Sequence, residues 1–230
     1  MHIGSTAIGN DVVLPSPLSI LNSMRENILD FYFWKYFSNT LVKIFSGLLF
    51  GILLGAILGF LSFRFKYSMW IFEPFMNFIK TTPVAALTII LLVWFNSTYI
   101  SFNLVVLIVL PQIFFSVLYD LKNLDKDIRE MIKVFFPPSK DAFLKVYLKE
   151  ILISIYRSLP IVLGFAWKSG VSGEIISQAK DTFGNQIYMD KIHLEISDLF
   201  AKIFLLILLT FILEKIIIYI YKKLFDMGDI

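Results

Sequence analysis

Long apolar runs separated by short polar breaks dominate the chain. Leu41–Phe63 is the first clear apolar span, broken only by Lys43, Ser46 and Ser62, and closes on Arg64 and Lys66. It is long enough to cross a hydrocarbon core of about 30 Å. The next run, Trp70–Phe95, is interrupted at Glu73-Pro74 and again at Lys80-Thr81-Thr82-Pro83. Proline lacks the helical N–H and disfavours helix in the residue before it. The pattern therefore predicts a short helix before Pro83 and a span from Pro83 to about Phe95. After a polar turn at Asn96-Ser97-Thr98, Tyr99–Leu118 is a further span containing Pro111. Asp120–Glu150 is the one long, highly charged stretch. Ile151 to about Ile176 is apolar again, with Pro160, Lys168 and several glycines. Ser177–Asp198 is polar, and Leu199–Tyr221 is the last span, closed by Lys222 and Lys223. Five spans are predicted. Upstream, Leu14-Pro15-Ser16-Pro17 breaks the chain. Leu18–Phe37 reads as a short amphipathic helix ending in aromatic residues. That suits a membrane–water boundary and equally a helix packed on the rest of the protein. Residues 1–24 carry neither a basic nor an apolar signal-peptide region. The expected organisation is an external or interfacial segment 1–40, a transmembrane domain 41–223 containing the charged segment 120–150, and a tail 224–230.

Composition supports the same class. The chain is 57% hydrophobic and only 17% charged, against roughly 45–50% and about 25% in soluble domains. A single soluble core cannot absorb that apolar surface, so the fold class is an all-α, polytopic membrane bundle. Zero Cys and two His argue against thiolate sites and histidine metal clusters, and no cofactor is expected. The net charge of +3 is weak grounds for nucleic-acid binding, which is not expected. Where the basic residues lie matters more. Arg64 and Lys66 end the first span, and Lys122, Lys126, Arg129, Lys133, Lys140, Lys145 and Lys149 fill the charged segment. Lys222 and Lys223 follow the last span, while Asn96–Ser101 holds no basic residue. The positive-inside rule then places the charged segment and the C-terminus in the cytoplasm and the N-terminus outside. Lys180 and Lys191, in the loop this places outside, run against the trend.

Three features are candidates for function. Gly47, Gly51, Gly55 and Gly59 recur every four residues and share one helical stripe. That stripe is either a close seam within a moving core or ordinary membrane packing. In the charged segment, Asp125–Phe136 has helical charge spacing, Pro137-Pro138 forces a break, and Ser139 can cap a second helix. On that helix Phe143, Val146 and Tyr147 share a face. This pattern fits either docking to a soluble partner or a solvated loop folded back on the membrane. Lys168, an ionisable residue within a span, either attracts an anion or snorkels to the interface. No nucleophile–base pair or nucleotide-binding P-loop is present, so enzymatic activity is not expected.

Glu130, the break at Phe136-Pro137-Pro138, and Phe143, Val146 and Leu148 resemble the coupling motif of ABC importer permeases. Met131, Ile132, Phe136 and Lys149 depart from its usual residues. Leu14-Pro15-Ser16-Pro17, Pro74–Phe95, Gly164-Phe165-Ala166-Trp167-Lys168 with Val171 and Glu174, and Phe183-Gly184 are similar to stretches of the nitrate/sulfonate/taurine-type branch. The resemblance covers roughly residues 11–223. It implies the type I importer core with about five transmembrane helices, the branch's usual first helix being missing. It also implies separate ABC ATPase subunits that receive Glu130, Pro137, Pro138, Ser139, Phe143, Val146, Tyr147 and Leu148. An external solute-binding protein, a permease homodimer and an inner-membrane location follow, with cargo such as a sulfonate, nitrate or a vitamin precursor. Trp167 and Glu174 match branch positions and, with Lys168, are candidates for the pathway. A membrane scaffold and a secondary transporter without an ATPase remain the alternative readings.

Overall fold

The computed structural model describes residues 15–124, 130 and 146–224, and all secondary structure among them is helical. The helices are α1 (Pro17–Leu29), α2 (Phe31–Arg64), α3 (Lys66–Thr81), α4 (Val84–Trp94), α5 (Ser97–Lys122), α6 (Leu148–Ser177), α7 (Phe183–Ile192) and α8 (Ile196–Leu224). Four of them, α2, α5, α6 and α8, are long and apolar enough to cross a membrane, and α3 with α4 makes a fifth if counted as one broken span. The expected five spans are met only if α3 and α4 count as one, because α4 alone, at 11 residues, is too short to cross; the break itself falls at Pro83 as expected.

Two expectations change. The helix predicted over Leu18–Phe37 is two helices, and its aromatic end opens the first long one, so the boundary expected at residue 40 falls inside α2. Asp30 is the cause. Its backbone N–H closes α1 on Glu26 and Asn27, while its carboxylate accepts the N–H of Tyr32 at 3.0 Å and so caps α2. The Trp34 indole donates to the Ile28 carbonyl, satisfying another end of α1. The polar stretch Ser177–Asp198 likewise contains a helix, α7. Thr182 caps it by accepting the N–H of Asn185.

The chain divides into two compact units. The first takes the described residues of Met1–Ser46 with Val84–Leu104 and Trp167–Lys215. Its core is aromatic. Phe33 and Phe37 meet Phe183 edge-on, and Phe37 stacks on Trp167. The second takes Gly47–Pro83, Val105–Ala166 and the described part of Ile216–Ile230. Here α5 is the central element. Val105, Val109, Ile113, Phe114 and Val117 are fully buried, and Leu110, Phe114 and Leu118 pack with Met76 of α3. By contrast α8 exposes Phe204, Ile207, Leu208, Phe211, Ile212, Ile216 and Ile220. In water such a face would be an aggregation hazard, but in a bilayer it is the ordinary lipid-facing surface.

Candidate functional site

Within the first unit, the most elaborate polar arrangement is built on Glu174 of α6, whose side chain is wholly buried. Carboxylate oxygen Oε2 accepts the Thr40 hydroxyl of α2 at 2.8 Å and the N–H of Gly184 at 3.2 Å. Thr40 Oγ1 in turn accepts the N–H of Phe183 at 2.9 Å. The three N–H groups that open α7 thus find acceptors in Thr40, Glu174 and Thr182. Those donors would otherwise be orphaned, and the positive end of the helix favours a carboxylate there. The same glutamate closes its own helix. Its carbonyl accepts the Ala179 N–H across Gln178, which is left-handed at φ 49°, the arrangement that commonly terminates α-helices. Asn39 donates to the Asp181 carbonyl and holds the intervening loop to α2.

Gly184 makes this approach possible, and Gly173 lets α6 lie close to α5. A Cβ on Gly184 would lie 2.5 Å from the Glu174 Cβ and 2.9 Å from the Val171 carbonyl. A Cβ on Gly173 would lie 2.9 Å from Leu104 Cδ2. In the same unit Asp190 of α7 makes a two-pronged ion pair with Lys202 of α8, at 2.7 and 2.8 Å. Burial pushes the Asp190 carboxyl above its usual range, and Lys202 works against that shift.

In the second unit the glycine stripe lies against α5. A Cβ on Gly51 would meet Val109 at 2.9 Å, one on Gly55 the Leu110 carbonyl at 2.7 Å, and one on Gly59 the Phe114 carbonyl at 2.9 Å. Backbone carbonyls at that range cannot rotate away as side chains do. Gly47 is buried as well. The stripe is therefore a backbone-to-backbone seam of the kind small residues permit in membranes.

Of the pathway candidates, Trp167 is buried on Phe37 and Glu174 is sealed by Thr40 and Gly184. Lys168 is exposed and makes no ion pair among the described residues. Of the expected coupling residues, Glu130 is helical and exposed, and Tyr147 packs its ring on Phe60 and Phe63. Val146 is half-buried beside it, and Leu148 opens α6. Pro137, Pro138, Ser139 and Phe143 lie outside the described residues. Sequence reasoning missed Thr40 and Asn39. Their signal was the polar trio Ser38-Asn39-Thr40 in an otherwise apolar stretch.

Residues 47–226 match the family described as the binding-protein-dependent transport system inner membrane component. The chain belongs to this family. This inner-membrane component is 24% identical over 178 residues to the aliphatic sulfonates transport permease protein SsuC of Bacillus subtilis, an alignment covering 77% of this chain and 64% of SsuC. It is 26% identical over 175 residues to the formylaminopyrimidine transport permease protein ThiX of Halalkalibacterium halodurans, covering 75% of this chain and 69% of ThiX. The chain thus spans just under two thirds of the length of the sulfonate relative. The matched region begins at Gly47 and takes in the whole glycine seam, the charged segment and Glu174. It is a multi-pass inner-membrane protein of the permease type.

Proposed function

We propose that this chain is the membrane permease subunit of an ATP-driven importer. It would form the translocation pathway with a second permease copy and receive its solute from an external binding protein. The observation that carries the reading is the family match over residues 47–226, which includes the charged stretch between α5 and α6. ATP is hydrolysed in separate subunits, because the chain has no phosphate-binding loop. Those subunits grip the segment through Glu130, Pro137, Pro138, Ser139, Phe143 and Val146, while Tyr147, packed on Phe60 and Phe63, and Leu148, which opens α6, join it to the membrane helices. Closure of the ATPase subunits moves α5 and α6, the two helices that the segment joins, and drives alternating access. Arg64, Lys66, the charged segment and Lys222–Lys223 face the cytoplasm in this reading, and the N-terminus faces outside. The cargo is a small polar solute. A sulfonate in the name of one relative and a formylaminopyrimidine in that of the other support this reading, and Lys168 is the residue that would attract an anion.

The test is uptake. Proteoliposomes holding this chain with the ATPase and the binding protein that co-purify with it are expected to accumulate a labelled aliphatic sulfonate only when ATP is supplied on the ATPase side. Accumulation driven by a proton or sodium gradient without ATP overturns the reading in favour of a secondary transporter.

A further inference from the structure

The second unit carries an open groove lined by Leu49, Ile52, Leu53, Ala56, Ile57, Phe60 and Leu61 of α2 and by Leu148, Ile151, Leu152 and Ile155 of α6. No lining side chain is charged or polar, so the groove offers nothing to a sulfonate or any other small polar solute. Along α2 it runs from Leu49 to Leu61, about 18 Å at 1.5 Å per residue. One leaflet of a bilayer has about 15 Å of hydrocarbon, half of the usual 30 Å. The α2 lining follows an i, i+3, i+4 stripe, and the next position of that stripe, one turn beyond Leu61, is Arg64. Arg64 is exposed, makes no ion pair among the described residues and lies 5.8 Å from the Phe65 ring. At the same end Tyr147 stands 6.0 Å from Phe60 and 5.6 Å from Phe63, and Lys149 is exposed on the first turn of α6. Glu150, half-buried beside it, offsets part of this charge. Lys66, two residues past Arg64, adds to it.

We propose that this groove holds the acyl chain of an acidic phospholipid, with its phosphate at Arg64 and its glycerol region against Tyr147. The length matches one leaflet, the wall matches a hydrocarbon, and the charge at the open end matches an anionic headgroup. Arginine suits that headgroup because its planar fork meets phosphate oxygens in pairs, while an aromatic ring with a polar tip belongs at this depth. The site depends on the chain's being a membrane protein and not on which solute it moves.

The test is native mass spectrometry of the purified full chain from nanodiscs containing equal phosphatidylglycerol and phosphatidylcholine. Wild type is expected to retain phosphatidylglycerol at least fivefold over phosphatidylcholine. Ala56→Phe, which fills the groove from a wall position, is expected to lose the retained lipid while its circular dichroism stays unchanged. Arg64→Gln is expected to keep lipid but lose the headgroup preference, which separates the site from general adhesion of lipid to apolar helices. Retention without preference in wild type, or retention unaffected by Ala56→Phe, overturns the proposal. So does an Ala56→Phe chain that retains lipid but no longer dimerises, since the groove would then belong to a second copy.

Discussion

Replacing Gly55 with leucine is expected to abolish recovery of folded protein from the membrane, and replacing it with alanine to destabilise it by about 3 kcal/mol, the upper end of the usual cost of overpacking. The added Cβ would sit 2.7 Å from the Leu110 carbonyl and 2.9 Å from the Ile113 Cβ. Neither atom can yield by a change of rotamer, so α2 and α5 must move apart and lose the contacts on both sides of the seam. Pro111 sharpens this, because a proline within α5 frees the carbonyl four residues earlier and leaves that helix less able to absorb a second distortion. Gly164→Ala is the matched control. A Cβ there meets nothing within 4 Å, and alanine is the better helix former by up to about 1 kcal/mol. The midpoint of thermal unfolding in one detergent checks both: Gly55→Ala should fall by several degrees and Gly164→Ala should hold or rise. Equal effects at the two positions would mean that Gly55 does not sit at a tight seam.

Glu174→Ala is expected to cost about 3 kcal/mol and Glu174→Gln less than half as much. Alanine removes the acceptor of two buried donors, the Thr40 hydroxyl and the Gly184 N–H. Each donor left unpaired costs about 1–3 kcal/mol. Glutamine keeps a carbonyl oxygen in the place of Oε2, and its amide can donate where Oε1 has no partner among the described residues. The Ser101 hydroxyl, also buried without a partner there, is close enough to interact with the carboxylate. Thr40→Val should fall between the two, since it breaks the bond to Glu174 and also orphans the Phe183 N–H. Thermal midpoints in detergent rank the three. If Glu174→Gln is as damaging as Glu174→Ala, the charge rather than the hydrogen-bond geometry holds the end of α6 to α7.

Hydropathy alone made most of the fold legible, because in a bilayer the apolar run and the helix are nearly the same object. Pro83 marked the α3–α4 break, and the fourfold glycine spacing marked the seam. What the pattern hid was local polar chemistry inside or beside apolar stretches. Asp30 looked like one charge in an amphipathic helix, yet its backbone closes one helix and its side chain opens the next. Gln178 and Leu194 adopt left-handed conformations without being glycine, so the C-terminal ends of α6 and α7 carried no glycine signal. Glu174 was noticed only through its likeness to a family position. Its partner Thr40 lies 134 residues away in the chain, a pairing that no local periodicity encodes. The expected coupling residues were the reverse case. Spacing and resemblance named them all, whereas Pro137, Pro138, Ser139 and Phe143 fall outside the described residues.

The central claim is that a separate ATPase grips the segment between α5 and α6. Co-purification tests it most directly. The chain carries a C-terminal tag, is extracted from its native membranes in mild detergent and is compared with Phe143→Asp, which puts a charge on the docking face expected from the sequence spacing. The account predicts that a P-loop ATPase co-purifies with the wild-type chain and falls at least tenfold with Phe143→Asp, while the mutant chain reaches the membrane at wild-type abundance. A wild-type chain that brings down no ATPase, or equal recovery with both chains, contradicts it.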